Sequence, residues 1–190
     1  SIDRFAPYLY KSGDSIAFLS LATNEYDYLN KAWYKDAKSH QRAIWTEPYY
    51  DEGGGGAYMV THSIPLIKEH KNSSEFVGIL TIDVTLDVLN VLLKPIKTYK
   101  NGFVLLLSES GKVIAGSDKF NKDIGNSNIW TVSEGVVMNE VKKYSFSFLN
   151  QSAYEETIEL KNGNHLWFLS RRLSSAPWIL VIGLIEEDVE

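Results

Sequence analysis

The chain of 190 residues contains no cysteine. That excludes a disulfide framework and thiolate metal sites. Its 19 Lys and Arg are scattered among 24 Asp and Glu, for a formal net charge of −5. No basic patch of the kind nucleic-acid binding requires is present, so no nucleic-acid partner is expected. No apolar run approaches the roughly 18 residues of a membrane span, and no signal-peptide pattern is visible. The four histidines, His40, His62, His70 and His165, include no pair at metal-site spacing such as i, i+4 on a helix. No Gly-x-Ser-x-Gly elbow occurs. The run Gly53–Gly56 lacks the Lys-Ser/Thr pair and following helix of a phosphate loop and reads as a flexible hairpin tip. The expectation is therefore no metal, no cofactor and no catalysis by this chain. It opens at Ser1 and closes in the charged run Glu186-Glu-Asp-Val-Glu190, which reads as a piece cut from a longer protein.

Aromatic residues, by contrast, are plentiful at 13%, with 11 Tyr and 5 Trp, which favours a binding role because these rings offer rigid contact area with a polar handle. They concentrate with isolated charges between Tyr26 and Asp83. The pieces are Tyr-Asp-Tyr-Leu-Asn-Lys-Ala-Trp-Tyr (26–34), Trp-Thr-Glu-Pro-Tyr-Tyr-Asp (45–51) and Phe-Val-Gly-Ile-Leu-Thr-Ile-Asp (76–83). Rings for walls and a few placed charges are the composition of a pocket for a small polar ligand. Asp83 carries the most information, because strand interiors disfavour Asp. An unpaired buried carboxylate costs several kcal/mol. Asp83 therefore pairs with a protein cation or awaits a ligand cation, and the ligand reading is favoured.

The length suits one large domain or two of about 95 residues. Strands are predicted over 15–22, 57–67 and 76–84, with a short helix over 30–37 and an amphipathic helix over 87–93 that ends before Pro95. A second unit begins near residue 98. Residues 103–107 and 112–115 flank the turn Glu109-Ser-Gly111, and 155–161 and 165–173 flank Asn162-Gly163. Residues 117–150 read as irregular and partly helical, and 178–184 as a last strand. The fold class is α+β, with two modules over 1–97 and 98–190, each an antiparallel sheet with flanking helices. The first half has too few residues before its first strand to cover both sheet faces, so an upstream helix is expected to be absent.

These residues resemble the double Cache (dCache, or PDC) family of bacterial extracytoplasmic sensor domains. The resemblance rests on Lys31-Ala-Trp33-Tyr34, Trp45-Thr-Glu-Pro48-Tyr49-Tyr-Asp51, Thr61-His-Ser-Ile-Pro65, Val77-Gly-Ile-Leu-Thr-Ile-Asp83 and Asn101-Gly-Phe-Val-Leu-Leu-Leu. It implies two PAS-like modules on a long N-terminal helix, with a membrane-distal module that binds ligand and a membrane-proximal one. It also implies a parent anchored in the inner membrane, most readily a sensor histidine kinase of a two-component system, with chemoreceptors and diguanylate cyclases as alternatives. The sensing part then lies in the periplasm and is compatible with a homodimer. An amino-acid-binding subfamily implies a ligand-binding set residue by residue. Tyr34, Tyr49, Asp51 and Asp83 match the positions that hold an ammonium. Tyr26 and Trp33, with Lys31 where the family has arginine, match those that hold a carboxylate. Lysine is a point charge without arginine's bidentate fork. The implied ligand is an amino acid or small amine. A plain carboxylate, or a structural or protein-binding ectodomain, is the alternative.

Overall fold

A tight turn at Gly13 (φ +61°) joins strands β1 (Pro7–Ser12) and β2 (Ser15–Ser20) into a hairpin with a sheet of its own. Glycine suits the first position of such a two-residue turn. The structure, a computed structural model, describes residues 4–132 and 135–189. Ser1 and Glu190, the ends from which a longer parent is expected, lie outside the described residues. Sequence reasoning found only the second strand of this hairpin. Five of the six β1 residues are exposed, so no buried alternation marks it.

Beyond the hairpin, a 3-10 turn (Tyr28–Asn30) leads into helix α1 (Ala32–His40), which ends at Gln41 in the left-handed region. Strands β3 (Ile44–Trp45) and β4 (Tyr49–Asp51) follow one another along one edge of β5 (Ala57–His70), through the pairs Trp45–His62 and Tyr49–Met59. Strand β6 (Ser73–Thr85) takes the other edge of β5. The buried core here is small and ring-rich, centred on Leu21, Tyr26 and Tyr28.

The chain divides between Val84 and Thr85. Helix α2 (Leu86–Leu93) thus falls in the second unit, where it packs on β8 (Val113–Gly116). Leu86 and Leu89 are buried there, and the Asn90 side-chain carbonyl accepts the Gly116 N–H at 2.9 Å. The expected division, at 97 and 98, follows the Pro95 break instead of this packing. The second unit continues with β7 (Phe103–Leu107), helices α3 (Gly135–Lys143) and α4 (Ser145–Leu149), then β9 (Ala153–Glu159), β10 (His165–Arg172), β11 (Ile179–Ile185) and a last turn α5 (Glu186–Val189). Its antiparallel sheet has the order β8-β7-β11-β10-β9. Every β7 residue is buried, so both faces of the sheet are covered there. Phe103, Leu105, Phe148, Phe168 and Val181 form its core. Both units are α+β with antiparallel sheets, as the periodicity predicts. No helix among the described residues is long and apolar enough to cross a membrane.

Gly183 pairs with Phe103 across β11 and β7, and a Cβ at 183 would lie 2.3 Å from the fully buried Phe103 ring. Both strands are held on each side, so the ring has little room to retreat. Gly183→Ala is expected to destabilise the second unit by about 1–3 kcal/mol. The measurement is urea unfolding, with a lowered midpoint at unchanged slope.

Candidate functional site

Three neighbouring strands of the first unit place a carboxylate at the end of a hydroxyl chain. Thr61 on β5 donates to Asp83 Oδ1 on β6 at 2.7 Å. Its single proton is thereby engaged, so the Tyr49 hydroxyl, 2.7 Å from Thr61 Oγ1, is the donor in that pair. Tyr8 from β1 brings a further hydroxyl to Asp83. No Lys, Arg or His meets Asp83 among the described residues. Burial raises the Asp83 pKa above the ordinary carboxylate value, and the Asp51 charge adds to it, against the opposing hydrogen bonds from Thr61 and Tyr8. Burial together with Asp83 and Asp51 pushes the Tyr8 phenol up to about 12. Burial also raises Tyr49.

Asp51 is placed differently. Only 3% exposed, it accepts the Tyr26 hydroxyl at 2.8 Å on Oδ1 and the N–H groups of Gly54 and Gly55 at 2.7 and 3.0 Å on Oδ2. Trp33 completes this chain by hydrogen-bonding the Tyr26 hydroxyl. The four-glycine run is therefore a hairpin tip, but one wound onto a carboxylate and not a free one. A Cβ at Gly53 would sit 2.0 Å from the Tyr26 ring, and one at Gly54 2.5 Å from Asp51 Oδ2. Glycine is needed there for close approach.

Rings from the turn and from α1 build the wall. Tyr28 stacks on Trp33 with centroids 6.1 Å apart, and Tyr34 meets Phe76 of β6 edge-on at 6.0 Å. Lys38, four residues after Tyr34 and so on the same helix face, holds its ammonium 5.8 Å from the Tyr34 centroid and 5.2 Å from that of Phe76. These groups enclose a cavity of about 630 Å³, within the range of small-molecule sites.

Six of the seven residues expected to bind ligand line this cavity: Tyr26, Trp33, Tyr34, Tyr49, Asp51 and Asp83. Lys31 does not. Its ammonium lies over the Tyr26 ring at 4.7 Å. Phe76, which opens the third aromatic-rich piece, also lines the cavity, as do Lys38 and Tyr8, which sequence reasoning passed over. The i, i+4 spacing from Tyr34 was a usable signal for Lys38. For Tyr8 there was none, because its place depends on where the hairpin folds. Among the described residues no group of three or more His, Cys, Asp or Glu is placed to hold a metal.

The raised Asp83 pKa has a consequence for stability. Between the unfolded value, about 3.9, and the higher folded value, the folded state binds more protons than the unfolded one. Stability therefore falls as pH rises through that window, and the cost stands in full at neutral pH. The ligand-free Asp83→Asn variant is expected to melt above wild type at pH 7. The difference should close as pH is lowered toward 4, as followed by circular dichroism.

Residues 2–91 match a family described as methyl-accepting chemotaxis protein-like, first PDC sensor domain. The chemotaxis protein McpA of Pseudomonas putida is 31% identical over 94 residues, which cover 50% of this chain and 14% of that protein. TlpB of Bacillus subtilis is 34% identical over 91 residues, 47% of this chain and 12% of the relative. The chain thus spans less than a fifth of the length of the curated relatives it matches. In fold, it is similar to the extracellular domain of the histidine kinase mmHK1S-Z3, with TM-score 0.74 and 21% identity, covering 96% of this chain and 62% of the other. It also resembles the ligand-binding domain of the Pseudomonas aeruginosa amino acid chemoreceptor PctB in complex with L-Gln, with TM-score 0.58 and 18% identity, covering 96% and 68%. The first unit thus belongs to the PDC sensor-domain family, and nearly the whole length of the chain shares the fold of these solved ectodomains.

Proposed function

We infer that this chain is the ligand-sensing ectodomain of a bacterial transmembrane receptor, and that it binds an amino acid or small amine in the cavity of its first unit. It binds and does not catalyse, in keeping with the sensor-domain family that its first unit matches. One observation carries the ligand class: Asp83 is desolvated, lies near a second carboxylate and has hydroxyl partners but no cation among the described residues. A ligand ammonium is the partner such a carboxylate lacks, and the rings of Tyr34 and Tyr49 suit it by cation–π contact. Solved domains of the same fold are complexes with L-Gln, L-Arg, asparagine and GABA, which supports this reading. The curated relatives are chemotaxis proteins, which favours a chemoreceptor parent over the histidine kinase expected from sequence. Histidine kinase ectodomains share the fold. In either parent the sensing domain sits outside the inner membrane. The ligand shifts a two-state equilibrium by as much as its affinity differs between the states.

Calorimetric titration with a panel of amino acids and amines tests this. A charge-assisted hydrogen bond contributes roughly 1.5–3 kcal/mol. Asp83→Ala should therefore weaken the best ligand by about one to two decades. Affinity should also drop as pH falls through the Asp83 titration, because the protonated carboxyl no longer pairs with an ammonium. A well-folded Asp83→Ala protein that binds as tightly as wild type, or a panel with no binder, sinks the reading.

A further inference from the structure

The cavity has an acidic pole and a basic one. Asp51 and Asp83 both line it, and Lys38 is the cation lining it among the described residues. Lys31, which family likeness sets at the ligand's carboxylate, is turned onto the Tyr26 ring and does not line the cavity. Lys38 is exposed and lies over the rings of Tyr34 and Phe76, with no carboxylate partner among the described residues. An ammonium held on aromatic faces keeps its N–H donors for another acceptor.

Strand β6 sets the gap between the poles. Residues an odd number apart on a regular strand face opposite sides. Phe76 and Asp83 are seven apart, yet both are partly buried and both line the cavity. The alternation slips between them. Phe76 and Gly78 are sheltered and Val77 is exposed, but from Ile79 onward the odd positions are sheltered and Leu80 and Ile82 are exposed. One extra residue in a strand produces such a slip. Phe76, with Lys38 over it, thus ends on the side of Asp83, with roughly 20 Å of strand between them. Side chains that lean toward each other narrow this gap without closing it. An α-amino acid carries both charges on one carbon and does not meet both poles. Much of the remaining wall is aliphatic or aromatic, with Leu21, Leu29, Tyr28 and Ile79 among its residues. Such a wall suits a spacer of methylenes.

We propose that Lys38, and not Lys31, takes the anionic end of the ligand, and that the ligand class is a long ω-amino acid. Its ammonium meets Asp83, its methylene chain lies along the rings, and its carboxylate meets Lys38. Lys38 thereby selects among amines by the distance between their two charges. The proposal rests on the reading of Asp83 as an ammonium site.

The test is calorimetric titration with glycine, γ-aminobutyrate and the ω-amino derivatives of hexanoate, octanoate and dodecanoate, each also as its amide and its N-acetyl form. Longer chains gain affinity from apolar burial alone, so the readout is the affinity ratio between each acid and its amide. That ratio is expected to be near one for glycine and γ-aminobutyrate. For chains long enough to reach Lys38 it should be about two- to fivefold in favour of the acid, the worth of a partly exposed ion pair. In Lys38→Gln it should fall to one at every length while the amides bind as before. A merely structural lysine would shift acid and amide alike. A ratio that is largest for glycine, or one that survives in Lys38→Gln, overturns the proposal, and its loss in Lys31→Gln instead returns the anion to that residue. A ratio of one at every length also overturns it, and a loss of affinity on N-acetylation then leaves the ammonium site standing. If N-acetylation costs nothing at any length, or no amine binds, the ammonium site itself falls.

Discussion

The first unit is organised by a carboxylate held away from water with no cation beside it among the described residues. Asp83 costs free energy in the unliganded protein, since burial and Asp51 both oppose its charge. It is tolerated because the hydroxyls of Thr61 and Tyr8 hydrogen-bond it. Remove the Thr61 hydroxyl and the chain from Tyr49 through Thr61 to Asp83 is broken. The uncompensated charge makes this arrangement a weak point of the fold.

Two carboxylates of one type serve opposite purposes here. Asp51 is satisfied by a phenol and two backbone amides, and it fixes the glycine loop against Tyr26. Asp83 keeps hydroxyl partners alone and faces the cavity. Backbone amides cannot leave a carboxylate without unwinding the loop, whereas a hydroxyl turns about its bond and readily shares its acceptor with an incoming ammonium.

The two units carry their stability differently. The second has a continuous apolar core, and each strand of its sheet is paired in order. The first has a ring-rich cluster and buried polar groups at Thr46, Asp51, Thr61 and Ser63. Ligand sites are drawn from the less stable parts of proteins, because a segment must be able to rearrange to respond.

How much of this could be read beforehand follows from range. Local pattern determined the α+β class, the turns at Gly111 and Gly163, the strands of the second unit, and the pairing of aromatic residues with isolated charges. Asp83 stood out because a carboxylate in an apolar strand needs a reason. Family likeness, and not spacing, supplied the rest of the expected ligand set. Tertiary structure alone decided which lysine lines the cavity. Lys31 and Lys38 sit at opposite ends of the same helix, and only the fold of β6 puts Phe76 under Lys38. It alone brought Tyr8 to Asp83 across 75 residues of chain. It also turned four glycines from a loose tip into the cradle of Asp51. A sequence records which groups are available. Which of them satisfy one another, and which are left to face a ligand, is settled only when strands distant along the chain come side by side.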